Sequence, residues 1–331
     1  MGPVDGPSVV AMPRQQVLGR RGRVERKKDR QALGSLKDLV VAKNTRDRYL
    51  EAVSRFLLFL RSHGFTYPSS FSSLDAKVCE FIEALWHNGD PKSYASDCLS
   101  GLGHFVPQCK RSLVGAWRLH GSWTRAELPA RALPFLPVMV YALAQAAFDK
   151  GWSDLAVLVL LGFDRFARSG ELFMAKRGDF TWNTTKTKAI WSLPLTKSGQ
   201  RVGAQESLVI DDSWLVVALA NYMSALSPGD YLRSVSPGIM RSRLKSLLSD
   251  LKFPEGYQWY SLRRGGATHF FRATNDLSRV CFVGRWNSIK TARIYLTDAL
   301  AQLTEIQLEP VVQRNLLRLA KRARPGFQFD S

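Results

Sequence analysis

Signals for β-strands occur in only one part of this chain, and that restricts the folds open to it. Runs typical of strands cover residues 180–182, 189–195 and 206–210, with polar turn residues between them. Apolar residues recur at helical spacing in most of the remaining sequence. We therefore predict a mainly α protein with one small antiparallel β-sheet, an α+β fold.

Composition shifts and prolines divide the chain into two domains. Low hydrophobicity and dense positive charge near the N-terminus predict a disordered basic arm. Apolar positions at helical spacing from Tyr49 to Leu60 open a small helical domain, and three prolines between 126 and 137 indicate a linker. The predicted segments are the arm at 1–40, the helical domain at 41–125, the linker at 126–137, the second domain at 138–310 and a C-terminal helix or tail at 311–331.

The charge of the chain favours a polyanionic partner. Lys and Arg number 47 against 28 Asp and Glu, which gives a net charge of +19. A generally basic protein without such a partner is the alternative. The basic arm fits a nuclear address, a DNA-grasping tail or a solvated terminus equally well.

Several classes of protein are not favoured. The four cysteines and five histidines show no metal-ligand spacing, so no metal site is predicted and a metal-dependent nuclease or deaminase is poorly supported. No apolar run approaches the roughly 20 residues of a membrane span, and the N-terminus lacks the apolar stretch of a secretory signal. We expect no membrane association and an intracellular protein, nuclear if the host is a eukaryote.

Three short motifs carry the residues that metal-independent cleavage of a DNA phosphodiester requires. The first has Arg168 followed three positions later by Glu171, and the second runs from Tyr260 to Arg263. In the third, Tyr295 follows nine positions after Trp286. Two guanidinium groups can hold both non-bridging oxygens of one phosphate, while a phenol can attack its phosphorus.

The order and separation of these motifs resemble the tyrosine recombinase, or integrase, family. Residues 150–300 resemble its catalytic domain, and residues 44–122 resemble its helical, SAM-like core-binding domain. The resemblance implies the two-domain fold of that family. Lys197, in a predicted turn between the first two motifs, matches the family's hairpin lysine, with Lys188 and Arg201 as alternatives.

The resemblance also implies a reaction. Arg168 and Arg263 would clamp the scissile phosphate, and Tyr295 would attack it to form a 3′-phosphotyrosyl bond. Lys197 would protonate the departing 5′-oxygen as general acid. The covalent link retains the energy of the phosphodiester, so neither a nucleotide nor any other cofactor is expected.

Three further motif residues have supporting or open roles. Glu171 would orient Arg168 or a neighbouring residue. Trp286 would donate its indole N–H to a phosphate oxygen, or simply pack on the helix of the nucleophile. Tyr260 stands where most members of the family have His; a phenol can donate to a phosphate oxygen but is a poor base. This departure leaves the proton transfer and full activity open.

Double-stranded DNA is the implied partner, bound by basic residues of both domains. The resemblance implies a homo-oligomer on DNA, with a tetrameric synapse. The C-terminal helix would then dock on a neighbouring protomer or fold back within its own chain. The expected DNA contacts are Lys43, Arg46, Arg48, Lys92, Arg241, Arg243 and Lys245.

The leading hypothesis is a site-specific recombinase or integrase of a mobile element. A recombinase-derived DNA-binding protein without catalytic activity is the alternative, and Tyr260 in place of His is its best support. A type IB topoisomerase, which shares the chemistry, is a third possibility. The sequence gives neither the target site nor the direction of recombination.

Overall fold

The computed structural model describes residues 22–33, 35–37, 39–128, 131–193, 206–296 and 308–325. The chain forms two compact units, which divide between Ala130 and Arg131. Each unit buries its own hydrophobic core. Within the described residues, no helix combines the length and apolarity that a membrane crossing requires.

The first unit is a bundle of α-helices. Its helices are α1 (Arg23–Leu33), α2 (Lys43–Ser62), α3 (Phe71–His87), α4 (Lys92–Phe105) and α5 (Val114–Ala126). α2 packs against α4, and α3 packs against α5. Phe56, Val78 and Leu99 each bury almost all of their surface in the core between these helices. The apolar residues recur at helical spacing because each helix turns one apolar side toward this core.

Helix α1 lies in the segment that we expected to be disordered, and that expectation is wrong for residues 23–33. The segment consists mostly of strong helix formers, namely Arg, Lys, Glu, Gln, Ala and Leu. Glu25 in the first turn and Arg30 in the last also suit the helix dipole. Almost all of its described side chains are exposed, so local propensity rather than packing accounts for the helix.

An acidic side chain on α3 holds the start of α5. The carboxylate of Asp75 accepts hydrogen bonds from the backbone N–H groups of Gly115, at 2.8 Å, and Ala116, at 3.0 Å. These groups belong to the first turn of α5, where backbone donors have no partner within the helix. The orientation of α5 is therefore fixed relative to α3.

The second unit combines helices with a small sheet. Its helices are α6 (Pro137–Asp149), α7 (Ser153–Asp164), α8 (Ser169–Met174), α9 (Ser213–Met223), α10 (Pro237–Asp250), α11 (Trp259–Thr274), α12 (Leu277–Gly284), α13 (Ile289–Tyr295) and α14 (Pro310–Ala323). Its strands are β1 (Phe180–Trp182), β2 (Ala189–Leu193) and β3 (Glu206–Ile210).

The sheet is antiparallel, with strand order β1-β2-β3. Trp191, which is fully buried, pairs with Phe180 on β1 and with Leu208 on β3. The rings of Trp191 and Phe180 stack with their centroids 5.4 Å apart. The predicted fold, mainly α with one small antiparallel sheet, is confirmed; residues 194 and 195 of the predicted second strand lie outside the described residues.

The predicted linker at 126–137 is not a free connection over its whole length. Leu133 donates its N–H to the carbonyl oxygen of Gly256 at 3.1 Å, and Phe135 donates to that of Ser261 at 3.3 Å. The ring of Phe135 is buried and stacks on Tyr257 with centroids 4.8 Å apart. The prolines end the preceding helical pattern, but the apolar residues beside them belong to the core of the second unit.

Two glycines allow α11 to lie directly against other backbone. A Cβ atom at Gly265 would overlap the carbonyl oxygen of Phe135, and one at Gly266 would overlap that of Phe163. Phe163 belongs to the last turn of α7. Helix α11 is thus held between the extended segment before α6 and the end of α7.

The C-terminal helix α14 docks within its own chain. Leu316, Leu319 and Ala320 are buried on the side that packs along α6. Arg322 forms a salt bridge with Asp149 on α6, with 3.0 Å between Nη1 and Oδ2. Of the two placements considered for this helix, the structure shows the intramolecular one.

Candidate active site

Arg263 lies at the centre of the candidate site. The side chain is buried, with 1% of the residue exposed, and projects from α11. Its Nη1 donates to the carbonyl oxygen of Phe166, just after α7, and its Nη2 donates to that of Gly284 at 2.7 Å, at the end of α12. The carbonyl ends of helices carry partial negative charge, so both contacts suit a cation. The ends of two helices therefore fix the position of this guanidinium.

Aromatic rings of the third motif stack beside that guanidinium. The Cζ atom of Arg263 lies 4.7 Å from the ring centroid of Trp286 and 5.3 Å from that of Tyr295. The two rings are 4.5 Å apart, and the ring of Tyr260 is 5.7 Å from that of Tyr295. A Cβ atom at Gly284 would overlap the Trp286 ring, so glycine is required there for this packing. The second and third motifs thus meet in space.

Glu171 joins the first motif to a residue that the sequence analysis missed. Its Oε1 lies 2.7 Å from Nη1 of Arg168, and its Oε2 lies 2.7 Å from Nη2 of Arg285. Arg285 also reaches Glu206, with 3.2 Å between Nη1 and Oε2. The side chain of Glu171 is only 7% exposed. One buried carboxylate therefore holds two arginines.

Glu171 has a further contact that sets the start of a helix. Its Oε2 accepts a hydrogen bond from the backbone N–H of Arg168 at 2.8 Å, which caps α8. Burial alone would raise the pKa of Glu171, but its hydrogen bonds and ion pairs with Arg285 and Arg168 outweigh burial and lower it. The carboxylate is ionised at neutral pH, as a bridge between cations requires.

The three arginines form one electrostatic cluster. Burial, and then the charges of Arg168 and Arg285, lower the pKa of Arg263 to about 10. Arg263 still carries its proton at neutral pH. The described carboxylates paired with this cluster are Glu171 and Glu206. Three cations against two carboxylates leave a net positive charge, which favours a bound anion.

The two tyrosines titrate as a pair. Burial would raise the pKa of Tyr295, but its hydrogen-bonding interaction with Tyr260, the charge of Arg263 and the indole of Trp286 lower it below the ordinary value. Burial and the same interaction with Tyr295 raise the pKa of Tyr260. Of the two phenols, Tyr295 is therefore the one whose ionisation the surroundings favour.

The lysine of the candidate site cannot be placed. Lys197 lies outside the described residues, and so does its alternative Arg201. The other alternative, Lys188, precedes β2 and its side chain is exposed. The role of Lys197 stays a prediction.

Three of the predicted DNA contacts have partners within the protein. Arg243 lies 3.2 Å from Asp154, whose side chain is only 4% exposed, so this cation neutralises a buried carboxylate. Arg48 is paired with Asp97, with 3.0 Å between Nε and Oδ2. The Nζ of Lys92 donates to the carbonyl oxygen of Glu127 at 3.3 Å. Sequence alone shows no such partners, because they lie 35 to 89 positions away.

The remaining predicted contacts are all exposed. They stay predicted DNA contacts. Arg241 lies with its Cζ 5.1 Å from the ring of Phe173. These residues are Lys43, Arg46, Arg241 and Lys245.

A basic face around α5 was not predicted from the sequence. It lines a shallow concavity of about 630 Å³ together with the exposed ring of Trp117. Helix α5 itself contains no Asp or Glu. The signal was present in the sequence, because Arg118 and Arg125 are seven positions apart and thus share one side of a helix. The cations of this α5 face are Lys110, Arg111, Arg118 and Arg125.

No group of three or more potential metal ligands occurs among the residues that the structure describes.

Solved structures share this architecture. Lambda integrase, solved as a dimer bound to a COC′ core site, matches with a TM-score of 0.55 and 13% sequence identity, covering 82% of this chain and 76% of that chain. The Tn1549 transposon integrase in complex with transposon right end DNA matches with a TM-score of 0.52 and 11% identity, covering 85% and 98%. No protein-family model and no curated protein sequence matches the chain. The chain has the tyrosine recombinase fold.

Proposed function

We propose that this chain is a site-specific DNA recombinase that cuts and rejoins DNA through Tyr295. The observation that carries the proposal is the convergence of Arg263, Trp286 and Tyr295, with both rings within 5.3 Å of the guanidinium carbon. Arg168 belongs to the same cluster of charge. Residues far apart in the sequence thus lie side by side, as the binding and attack of one phosphate would require.

The reaction follows from the chemistry of these groups. Arg168 and Arg263 bind the non-bridging oxygens and stabilise the charge of the five-coordinate transition state. The phenolate of Tyr295 forms a bond to phosphorus while the bond from phosphorus to the 5′-oxygen breaks. Lys197 supplies the proton to that oxygen. Rejoining reverses each step, and the energy stored in the phosphotyrosyl bond suffices for it.

Activation of the nucleophile has support in the tyrosine pair. The interactions that lower the pKa of Tyr295 come from Tyr260, Arg263 and Trp286. A lower pKa increases the phenolate fraction at neutral pH. A histidine at this position would act as a base. Tyr260 instead donates a hydrogen bond to the developing phenolate.

Double-stranded DNA is the proposed partner. The two matched structures are integrases bound to DNA, and one of them is a dimer. The net charge of +19 and the α5 face supply the electrostatic attraction that non-specific DNA binding requires. We propose that the protein acts as a multimer on paired sites of a mobile element.

A DNA-binding protein without catalytic activity is the second candidate. It is favoured by Tyr260. Because its pKa is raised, this phenol already holds its proton at neutral pH and cannot accept another. The lowered pKa of Tyr295 favours activity, because perturbed pKa values cluster at functional sites.

Covalent trapping separates the two candidates. The substrate is nicked DNA from the region that flanks the gene, in which loss of the cleaved fragment prevents rejoining. We expect a covalent protein–DNA adduct with the wild type and with the control Tyr231→Phe, and none with Tyr295→Phe. Equal DNA binding by all three proteins without any adduct would support the inactive candidate.

A further inference from the structure

Arg264, the residue after Arg263, is a buried arginine with an unused hydrogen-bonding edge. Only 2% of the residue is exposed. Its Nε and Nη2 atoms are buried and have no hydrogen-bond partner in the part of the chain that the structure describes. These two nitrogens form the edge of a guanidinium that can hold two oxygens of one oxyanion.

Within the described parts of the chain, the surroundings of Arg264 supply no counter-charge. Burial lowers its pKa, and the nearby charge of Arg131 lowers it further. The other groups that act on it are the hydroxyls of Tyr260 and Tyr295. No carboxylate among the described residues does so. An unpaired buried cation is costly, and an oxyanion from outside the chain would remove that cost.

The unused edge lies beside the candidate nucleophile. Arg264 is four positions after Tyr260 on α11, so the two side chains share one side of that helix. The same side faces α13, since the hydroxyl of Thr268, four positions further on, lies 3.5 Å from the carbonyl oxygen of Tyr295. An oxyanion on Arg264 would therefore lie next to a phosphate attacked by Tyr295.

We propose that Arg264 and Arg131 form a second phosphate subsite, which holds a phosphodiester adjacent to the scissile one on the same DNA strand. The proposal rests on the proposed function for its ligand. A carboxylate of another protein would fit the same edge. The neighbouring nucleophile and the second cation, Arg131, favour the phosphodiester of the strand that Tyr295 attacks.

Salt dependence of DNA binding tests the subsite without requiring cleavage. The probe is a duplex of mixed sequence, bound by the full chain over a range of salt concentrations. Each lost phosphate contact lowers the slope of log K against log salt by about 0.9. We expect this loss for Arg264→Met and for Arg131→Gln, and no loss for the exposed control Arg314→Gln. If both arginines hold one phosphate, the double variant loses less than the sum of the two, and an additive loss would overturn the joint subsite.

Thermal unfolding without DNA gives an independent readout. Arg264→Met removes a buried unpaired charge, so we expect its Tm to rise while its DNA binding weakens. A purely structural arginine would give the opposite pair of results, a lower Tm with unchanged DNA binding, and would overturn the subsite. Arg264→Lys keeps the charge but lacks the two-nitrogen edge; we expect it to retain the salt slope and bind DNA more weakly, and unchanged affinity would also count against the proposal.

The outcomes distinguish this proposal from the proposed function. A wild type that traps the Tyr295 adduct, together with an Arg264→Met variant that binds DNA with an unchanged slope, would overturn the subsite alone. Loss of self-association with unchanged DNA binding in Arg264→Met would assign the edge to a carboxylate of a second copy and overturn the phosphate assignment. Absence of any adduct in the wild type would overturn the proposed function, whatever the slope.

Discussion

Replacing Glu171 with Gln should destabilise the second unit and loosen the arginine cluster. The carboxylate has 7% of its side chain exposed and contacts Arg168 and Arg285 at 2.7 Å each. Removing one partner of a buried ion pair costs roughly 3–5 kcal/mol, because the other charge stays buried. Gln keeps one acceptor oxygen, and Arg285 keeps Glu206, so we expect a loss of about 3 kcal/mol, near the lower end of that range.

The loss is measured by urea unfolding, or as a fall in Tm of about 6–12 °C for a unit of this size. It should also depend on pH. Because the folded pKa of Glu171 is lowered, its stabilisation is complete above the unfolded pKa of about 4.3 and is lost as the pH falls through the folded pKa. The wild type and Glu171→Gln should therefore converge in strong acid.

The exposed residue Glu255 provides the matched control, since Glu255→Gln makes the same chemical change away from the cluster. The control should unfold like the wild type. A buried ion pair at Glu171 is contradicted if Glu171→Gln unfolds within about 1 kcal/mol of the wild type at neutral pH, the upper end for exposed ion pairs. A difference that persists unchanged in strong acid would refute it as well.

Three further predictions concern the reaction and DNA binding. Arg263→Lys should slow adduct formation by about 10²–10³, the effect of losing one donor to a developing oxyanion, in a single-turnover assay; an unchanged rate would remove Arg263 from the site. Tyr260→Phe should raise the pKa of Tyr295 and move the pH profile of adduct formation to higher pH, so an unshifted profile would contradict the donor role. Arg118→Gln on the α5 face should lower the salt slope of DNA binding by about 0.9, with the exposed Arg61→Gln as control, and equal slopes in both would count against that face.

Sequence predicted well the local features and those that the order of the motifs implies. The strands at 180–182 and 206–210 follow from β-branched and aromatic residues between turns. The residues of the second and third motifs do meet, at Arg263 and Tyr295. The spacing of Arg118 and Arg125 also indicates the α5 face, although we did not predict that face from the sequence.

The features that sequence missed depend on distant partners. Arg285 pairs with Glu171 and Glu206 across 114 and 79 positions, and nothing near Arg285 in the sequence indicates this. Arg243 belongs to the same class, because its buried partner Asp154 lies on another helix. From sequence alone an arginine such as Arg243 is predicted to contact DNA, because the carboxylate that pairs with it is distant in the chain and is identified only from the fold.

Gly265 and Gly266 fix the position of α11. With backbone pressed against it from two directions, the helix has no room to shift when a neighbouring side chain changes size. The side chains that α11 carries, Tyr260 and Arg263 among them, therefore project from a helix whose position is fixed. Substitutions in this region should therefore leave Gly265 and Gly266 unchanged, because any side chain there would displace α11 from its neighbours.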